Sequence, residues 1–177
     1  EALIGKKLNE EPPLEYSIPA NESVSANKYL NELGISANEL VIGFHPGCAT
    51  LKNHIKRRWE PEKFAEIGKK LIKDHNTRIL IFGGPEEKDL KEKIFSLIGS
   101  DKAKIINTES LTQSSAIMKR CNLFVTNDSS QMHIAAALGL KVVAIIGPTN
   151  QKYIYPWKTE LQIVSLNLDC APCFFYS

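Results

Sequence analysis

Short apolar segments alternate along the chain with longer segments in which apolar residues recur every three or four positions. The short segments predict six β-strands, at 41–45, 78–82, 103–106, 123–126, 141–146 and 162–164. The longer ones predict helices at 61–74, 86–98, 112–119 and 129–138, with Pro61 as a first helical residue and Thr112 as an N-cap. Strands alternating with helices imply right-handed crossovers, so the pattern predicts an α/β fold with a Rossmann-like parallel sheet and helices on both faces.

The first 39 residues differ from the rest and predict a linker followed by a leading helix. Residues 1–21 are polar and contain three prolines, and Ser23 is predicted to cap a helix that ends at Leu33, before Gly34. Residues 40–177 are expected to form the Rossmann-like domain. Because residue 1 is Glu and nothing near it is typical of a secretory signal, we expect this chain to be a piece of a longer polypeptide.

Composition narrows the class of protein. Of the 177 residues, 43% are hydrophobic and 24% are charged, which favours one soluble globular domain. The net charge of +2 gives no support for a nucleic-acid partner. The longest strongly apolar run, 142–146, is far shorter than the roughly 20 residues that span a bilayer.

Four cysteines are too few for a disulfide scaffold, and they predict reduced thiols in a cytoplasmic protein. Cys170 and Cys173 have redox-pair spacing but lie near the chain end instead of at the start of a helix that follows a strand. Zinc would need a second pair of ligands at suitable spacing, so we predict no metal site.

In parallel sheets of α/β proteins, ligands bind outside the carboxyl ends of the strands. The candidate ligand-binding loops are therefore 45–58, 83–86, 127–130 and 147–157. In the third of these, Asp128 is predicted to cap a helix that begins near Ser129. Ser129, Ser130 and His133 would share the face of its first turn, where unpaired N–H groups favour a phosphate. The alternative is that Asp128 only caps the helix and His133 only bonds within the fold.

Two further loops carry candidate binding residues. The segment KNHIKRR at 52–58 includes Lys56 and Arg57, whose charges could hold phosphate oxygens, although such a run is often only a solvated surface. Glu86 follows a Gly-Gly-Pro turn and could accept hydrogen bonds from ribose hydroxyls. Alternatively, Glu86 and Glu87 only place negative charge at a helix start. The Gly-rich dinucleotide, P-loop and Asp-x-Asp signatures are absent from the sequence.

Several motifs together resemble one family, the ADP-heptose:lipopolysaccharide heptosyltransferases, which form the ninth glycosyltransferase family. The motifs occur in order from about residue 40 to the chain end: His45-Pro46-Gly47, Arg57-Arg58-Trp59, Pro61-Glu62-Lys63-Phe64, Ile81-Phe82-Gly83-Gly84-Pro85-Glu86-Glu87, Asn127-Asp128-Ser129-Ser130-Gln131-Met132-His133, Ala135-Ala136-Ala137-Leu138-Gly139, Gly147-Pro148-Thr149 and Cys170-Ala171-Pro172-Cys173.

This resemblance implies a GT-B enzyme, built from two Rossmann-like domains that face a cleft, of which the chain matches the C-terminal, donor-binding half. It implies transfer of heptose from ADP-heptose, with inversion and without a cofactor, to the inner core of lipopolysaccharide. The enzyme would work in the cytoplasm, with peripheral contact to the inner face of the cytoplasmic membrane. The alternatives are another GT-B enzyme that uses a nucleotide sugar, and a nucleotide-sugar-binding module without catalysis.

The resemblance also assigns roles to residues. It places Arg57 at a lysine that contacts the donor diphosphate, with Lys56 as a substitute, and Glu86 at an acid that binds the ribose. Asp128, Ser129, Ser130 and His133 would form the phosphate and sugar corner. The family usually has glycine at the position of Ser130, and relatives continue beyond the end of this chain, where a returning helix is expected. Its general base lies in the N-terminal domain, so no catalytic residue is predicted here.

Overall fold

The structure is a computed structural model that describes residues 12–49 and 55–173. Its strands are β1 (Val41–His45), β2 (Arg78–Ile81), β3 (Ala103–Ile105), β4 (Leu123–Asn127), β5 (Lys141–Ile145) and β6 (Leu161–Val164). Its α-helices are α1 (Ala20–Glu32), α2 (Pro61–His75), α3 (Lys88–Ile98), α4 (Leu111–Met118), α5 (Ser130–Ala137) and α6 (Gln151–Ile154), and a 3-10 turn covers Pro85–Glu87.

All six strands form one parallel sheet in the order β3-β2-β1-β4-β5-β6. The order reverses between β1 and β4, whose carboxyl ends lie side by side with His45 paired to Thr126. Every residue of β1 is buried, as expected of a central strand covered on both faces. The reversal opens a crevice at this edge of the sheet.

The sheet has a separate hydrophobic core on each face, because the side chains of successive strand residues point to opposite faces. Val41, Leu80 and Phe124 pack on the face covered by α1, α4 and α5. Ile42, Phe44 and Ile79 pack on the opposite face, against α2 and α3. Helices therefore cover both faces, and the predicted Rossmann-like α/β fold is confirmed.

The segment before β1 packs on the rest of the molecule. Ala26 and Leu30 of α1 are buried in the same core as Val41. The backbone N–H of Tyr16 donates to the Ala137 carbonyl at 3.1 Å, and the Trp157 Nε1 donates to the Pro12 carbonyl at 3.1 Å. Residues 12–32 are thus part of the folded unit.

Three predicted helix caps are wrong, because each of these helices begins at a different residue from the predicted one. Helix α1 begins at Ala20, so Ser23 lies inside it and its hydroxyl bonds back to the Pro19 carbonyl. Ser110, not Thr112, caps α4 by accepting from the Gln113 N–H at 3.1 Å. Ser129 is the N-cap residue of α5, where Asp128 was expected, since the Asp128 carboxylate is held elsewhere.

The predicted start of a helix at residue 86 is also wrong, because α3 begins at Lys88 after the 3-10 turn.

Within residues 12–49 and 55–173, none of the helices is both long and apolar enough to span a membrane.

Candidate functional site

The carboxyl ends of β1 and β4 are joined by the side chain of Asn127, the last residue of β4. Its Nδ2 donates to the Pro46 carbonyl at 2.6 Å, and its Oδ1 accepts from the Trp59 N–H at 3.1 Å. The amide is fully buried, so both bonds form away from water. Asn127 thereby holds the loop after β1 and the start of α2 against β4. Sequence reasoning gave it no role, because its partners are far away along the chain.

Arg57 and Asp128, two of the predicted site residues, form an ion pair at this edge. The Arg57 Nη1 lies 2.7 Å from the Asp128 Oδ2, and each side chain is 10% exposed. The Thr149 hydroxyl, from the loop after β5, donates to the same oxygen at 2.6 Å. Three loops therefore meet at one carboxylate, and a charge-assisted bond of this length fixes the guanidinium at the crevice.

Of the other predicted residues at the start of α5, Ser129 faces the protein, and Ser130 and His133 face solvent. The Ser129 Oγ lies 3.3 Å from the His45 Nδ1 and 3.2 Å from the Thr126 Oγ1. Ser130 and His133 are exposed in the first turn of α5, where backbone N–H groups lack helical partners. Ser130 and His133 therefore make this helix end accessible from solvent, which phosphate binding there would require.

Glu86 is exposed, whereas the next residue, Glu87, turns into the site. The Glu87 Oε2 accepts from the Gly84 N–H at 2.8 Å and lies 3.8 Å from the His45 Nε2. Its Oε1 lies 3.4 Å from the Arg58 Nη2. Sequence reasoning considered Glu87 only as charge at a helix start. Its spacing of three residues from Gly84, which is typical of a capping box, is the signal that could have identified it.

Gly47 lets the Glu87 carboxylate lie directly against the loop after β1. A Cβ atom at Gly47 would come within 1.7 Å of the Glu87 Oε1, so a side chain there would displace the carboxylate. Arg58 contacts both Glu87 and this loop, since its Nη2 also donates to the Cys48 carbonyl at 3.0 Å. The two consecutive arginines are thus fixed by different carboxylates, Arg57 by Asp128 and Arg58 by Glu87.

His45 is buried between these groups and is uncharged at neutral pH. Burial, together with the nearby charges of Arg58 and Lys91, lowers the pKa of His45 from 6.5 to about 4. A neutral imidazole has one donor and one acceptor nitrogen, so it can bond on both sides without adding charge. The positive charge next to this histidine therefore comes from arginine and lysine.

A cleft with a volume of about 240 Å³ opens at the carboxyl ends of β2 and β3. Gly83, Gly84, Lys91 and Asn107 are among the residues that line it. Lys56, the remaining predicted residue, is exposed in the turn that precedes α2. Among the residues that the structure describes, no group of three or more His, Cys, Asp or Glu residues is placed to hold a metal ion.

The fold and this edge define a class: a Rossmann-like α/β domain whose candidate site lies where the strand order reverses, with arginine side chains and a helix start around the crevice. Sequence comparison identifies the family within that class. The family model of glycosyltransferase family 9 (heptosyltransferase) matches residues 6–177, and the chain belongs to this family.

Individual relatives agree with this assignment. Lipooligosaccharide heptosyltransferase 2 of Campylobacter jejuni is 32% identical over 151 residues, which cover 82% of this chain and 46% of the relative. A family 9 glycosyltransferase structure from Veillonella parvula superposes with a TM-score of 0.84 at 24% identity, over 93% of this chain and 46% of that one. Escherichia coli heptosyltransferase WaaC with ADP gives a TM-score of 0.62 at 22% identity, over 79% and 42%. The chain thus spans less than half the length of these three proteins.

Proposed function

We propose that this chain is the C-terminal, donor-binding domain of a GT-B heptosyltransferase that moves heptose from ADP-heptose to the inner core of lipopolysaccharide with inversion. The observation that carries the proposal is the Arg57–Asp128 pair beside the start of α5, in the crevice where the strand order reverses. Family membership supports heptosyl transfer. The solved complex of the related WaaC with ADP supports an adenosine diphosphate leaving group.

The donor's diphosphate is proposed to lie against the first turn of α5. There Ser130, His133 and the backbone N–H groups face solvent, and Arg57 and Lys56 lie on the facing loop. The Ser129 hydroxyl contributes by holding the helix start against His45, since it already contacts that ring. Asp128 contributes by orienting Arg57.

The nucleoside half is proposed to extend toward the ends of β2 and β3. The cleft of about 240 Å³ lies there, lined by Pro85 and Lys88 among others. Glu86, exposed between these two residues in the chain, is proposed as the acceptor for ribose hydroxyls. Glu87 is less accessible, because its carboxylate already bonds to Gly84 and Arg58. The diphosphate would then cross the sheet edge from α5 to the Gly83–Gly84 turn.

In this arrangement the chain's own residues stabilise the leaving group. Displacement at the anomeric carbon builds negative charge on the departing diphosphate, and fixed cations and helix N–H groups aimed at that charge lower the barrier. Removal of one such donor typically costs about 3 kcal/mol at the transition state. The general base that activates the acceptor hydroxyl is assigned to the second domain of the enzyme. The glycolipid acceptor would meet that domain in the cytoplasm, at the inner face of the cytoplasmic membrane.

Calorimetric titration of the chain with ADP and with UDP tests the proposal. We expect ADP to bind at least about tenfold more tightly, which corresponds to roughly 1.4 kcal/mol. Equal or tighter binding of UDP would assign the chain to a GT-B enzyme of another donor class. Absence of binding to either nucleotide would remove the donor site altogether.

The same titration separates the two glutamates. If Glu86 accepts from the ribose, Glu86→Gln weakens ADP binding although it removes a negative charge near a diphosphate. The matched variant Glu87→Gln alters the contacts to Gly84 and Arg58, so it is expected to lower the melting temperature as well. Weaker binding by Glu87→Gln alone would transfer the ribose role to Glu87.

A further inference from the structure

Lys91, on the inner face of α3, is a buried lysine to which the proposed function gives no role. It is 3% exposed. Its Nζ donates to the Gly83 carbonyl at 3.0 Å, to the Ile106 carbonyl at 3.1 Å and to the Asn107 Oδ1 at 3.1 Å. An ammonium group has three donors, and all three are used.

These three acceptors belong to the ends of two neighbouring strands. Gly83 lies in the turn after β2, and Ile106 and Asn107 follow β3 directly. A Cβ atom at Gly83 would lie 3.2 Å from the Lys91 Cδ, so the turn also packs closely against the lysine stem. Lys91 therefore ties both strand ends together beneath the cleft of about 240 Å³, which it lines with Gly83 and Asn107.

The contact with Asn107 fixes the orientation of an exposed amide. Because the ammonium can only donate, the amide oxygen of Asn107 must face Lys91, and the Nδ2 donors point away from it. The Asn107 backbone N–H is held separately by the Tyr29 hydroxyl at 3.3 Å. Asn107 thus offers the cleft two side-chain donors in a fixed position.

Packing alone does not account for a charge at this position. Burial lowers the pKa of Lys91, which shows that the surroundings disfavour its charged form, and the charges of Glu87 and Glu92 only partly oppose this. All three hydrogen-bond acceptors are neutral groups, and within the described part of the chain no ion pair of Lys91 occurs. An apolar side chain of similar length would avoid this desolvation cost.

We propose that Lys91 is a positioning residue for donor binding, which holds the Gly83–Gly84 turn and the Asn107 amide in the arrangement that receives the nucleoside half of the donor. This inference rests on the proposed function, because it takes the cleft at the ends of β2 and β3 as the place of the nucleoside. Lys91 itself lies beneath the cleft and acts through its two neighbours.

The test compares ADP affinity and melting temperature for the unsubstituted chain, Lys91→Met, Asn107→Ala and the control Ile98→Ala. Ile98 lies on the same helix but packs toward Gly68 of α2, away from the cleft. We expect Lys91→Met to weaken ADP binding at least tenfold at a temperature where it remains folded. Ile98→Ala should lower the melting temperature and keep ADP affinity within twofold. Asn107→Ala should weaken ADP binding with little thermal effect, because Asn107 is exposed.

Two results would overturn the inference: unchanged ADP affinity in Lys91→Met or in Asn107→Ala, or losses of affinity in Lys91→Met and Ile98→Ala that simply follow their losses of stability. If Lys91→Met does not fold, Asn107→Ala decides the question alone. Failure of the proposed function is distinguishable, since it would appear as absence of ADP binding by the unsubstituted chain.

Discussion

At the scale of single residues, the candidate site contains two arginines whose positions are set by carboxylates. Arg57 and Arg58 are consecutive, yet one is held by Asp128 from the loop after β4 and the other by Glu87 from the turn after β2. Each guanidinium therefore belongs to a different side of the crevice. Long side chains lose conformational entropy when a ligand orders them. Because these two arginine side chains are already held by carboxylates, that cost of ligand binding is smaller.

Substitution of Arg57 tests this organisation. Arg57→Ala should weaken ADP binding about tenfold to a hundredfold, because hydrogen bonds to charged groups contribute about 1.5–3 kcal/mol. Arg57→Lys should retain part of the affinity, since it keeps the charge but not the planar fork. Calorimetry measures both variants.

The control is Arg78→Ala. It breaks an ion pair of the same length, 2.7 Å from the Arg78 Nε to the Glu39 Oε1, at the amino end of the sheet. Arg78→Ala should lower stability and leave ADP affinity unchanged. Equal losses of affinity in Arg57→Ala and Arg78→Ala would show that Arg57 acts only through stability.

His45 predicts a pH dependence of folding. Its pKa is about 4 in the folded protein and 6.5 ordinarily, so between these values the unfolded chain binds the proton and the folded chain does not. The free energy of unfolding should therefore fall as pH drops from 6.5 to 4, by about 3 kcal/mol in total. Urea unfolding across this range measures the effect.

His45→Gln provides the comparison for that measurement, and the fall in this window should be largely absent from it. The pKa of Glu39 lies below 4.5, so that group adds its own loss of stability mainly at more acid pH. An unaltered slope in His45→Gln would mean that other groups cause the fall between pH 6.5 and 4.

At the scale of elements, helix starts decide where polar groups point. The hydroxyl of Ser110 accepts from the Gln113 N–H and so closes the first turn of α4. At α5 the equivalent residue, Ser129, makes no capping bond and instead contacts His45 and Thr126. The backbone N–H groups of the first turn of α5 thus receive no side-chain cap from Ser129, as expected of a helix end that binds an anion.

The α4 cap gives an element-level prediction. Ser110→Ala should reduce the free energy of unfolding by about 1 kcal/mol, the typical cost of a lost N-cap. Thr112→Ala, two residues further on, should change it by less than about 0.5 kcal/mol, as for a substitution away from such a feature. Chemical denaturation of both variants compares them directly. A larger loss for Thr112→Ala would return the cap to the position that the sequence suggested.

At the scale of the whole molecule, the chain is one sheet with a candidate donor-binding edge, and the proposed general base lies in a second domain. We therefore expect it to bind ADP but not to transfer heptose to a lipopolysaccharide acceptor. A longer protein that adds the second domain should restore transfer. Assays of sugar transfer by the chain and by the longer protein measure this difference. Transfer by the chain alone would place the base among its own residues.

Most of the fold could be predicted from the sequence. All six strands were placed within two residues at either end, because short apolar segments between helical segments are a local signal. Three helix caps were not. Near the starts of α4 and α5 several Ser, Thr and Asp residues are capable caps, and only the chain path selects one. Helix α1 begins at Ala20, after Pro19, without a side-chain cap. For the candidate site, the sequence could suggest which loops carry it but not which side chains enter it, as Glu86 and Glu87 show.

The sequence by itself determined the parallel sheet, the edge that carries the polar loops and the family, because periodicity and motifs depend on residues close together in the chain. Only the tertiary structure decided that Arg57 pairs with Asp128, 71 positions away, that Glu87 rather than Glu86 turns inward, and that Lys91 lies beneath the cleft. These contacts depend on how strands pack side by side. Local pattern carries no information about distances between residues so far apart.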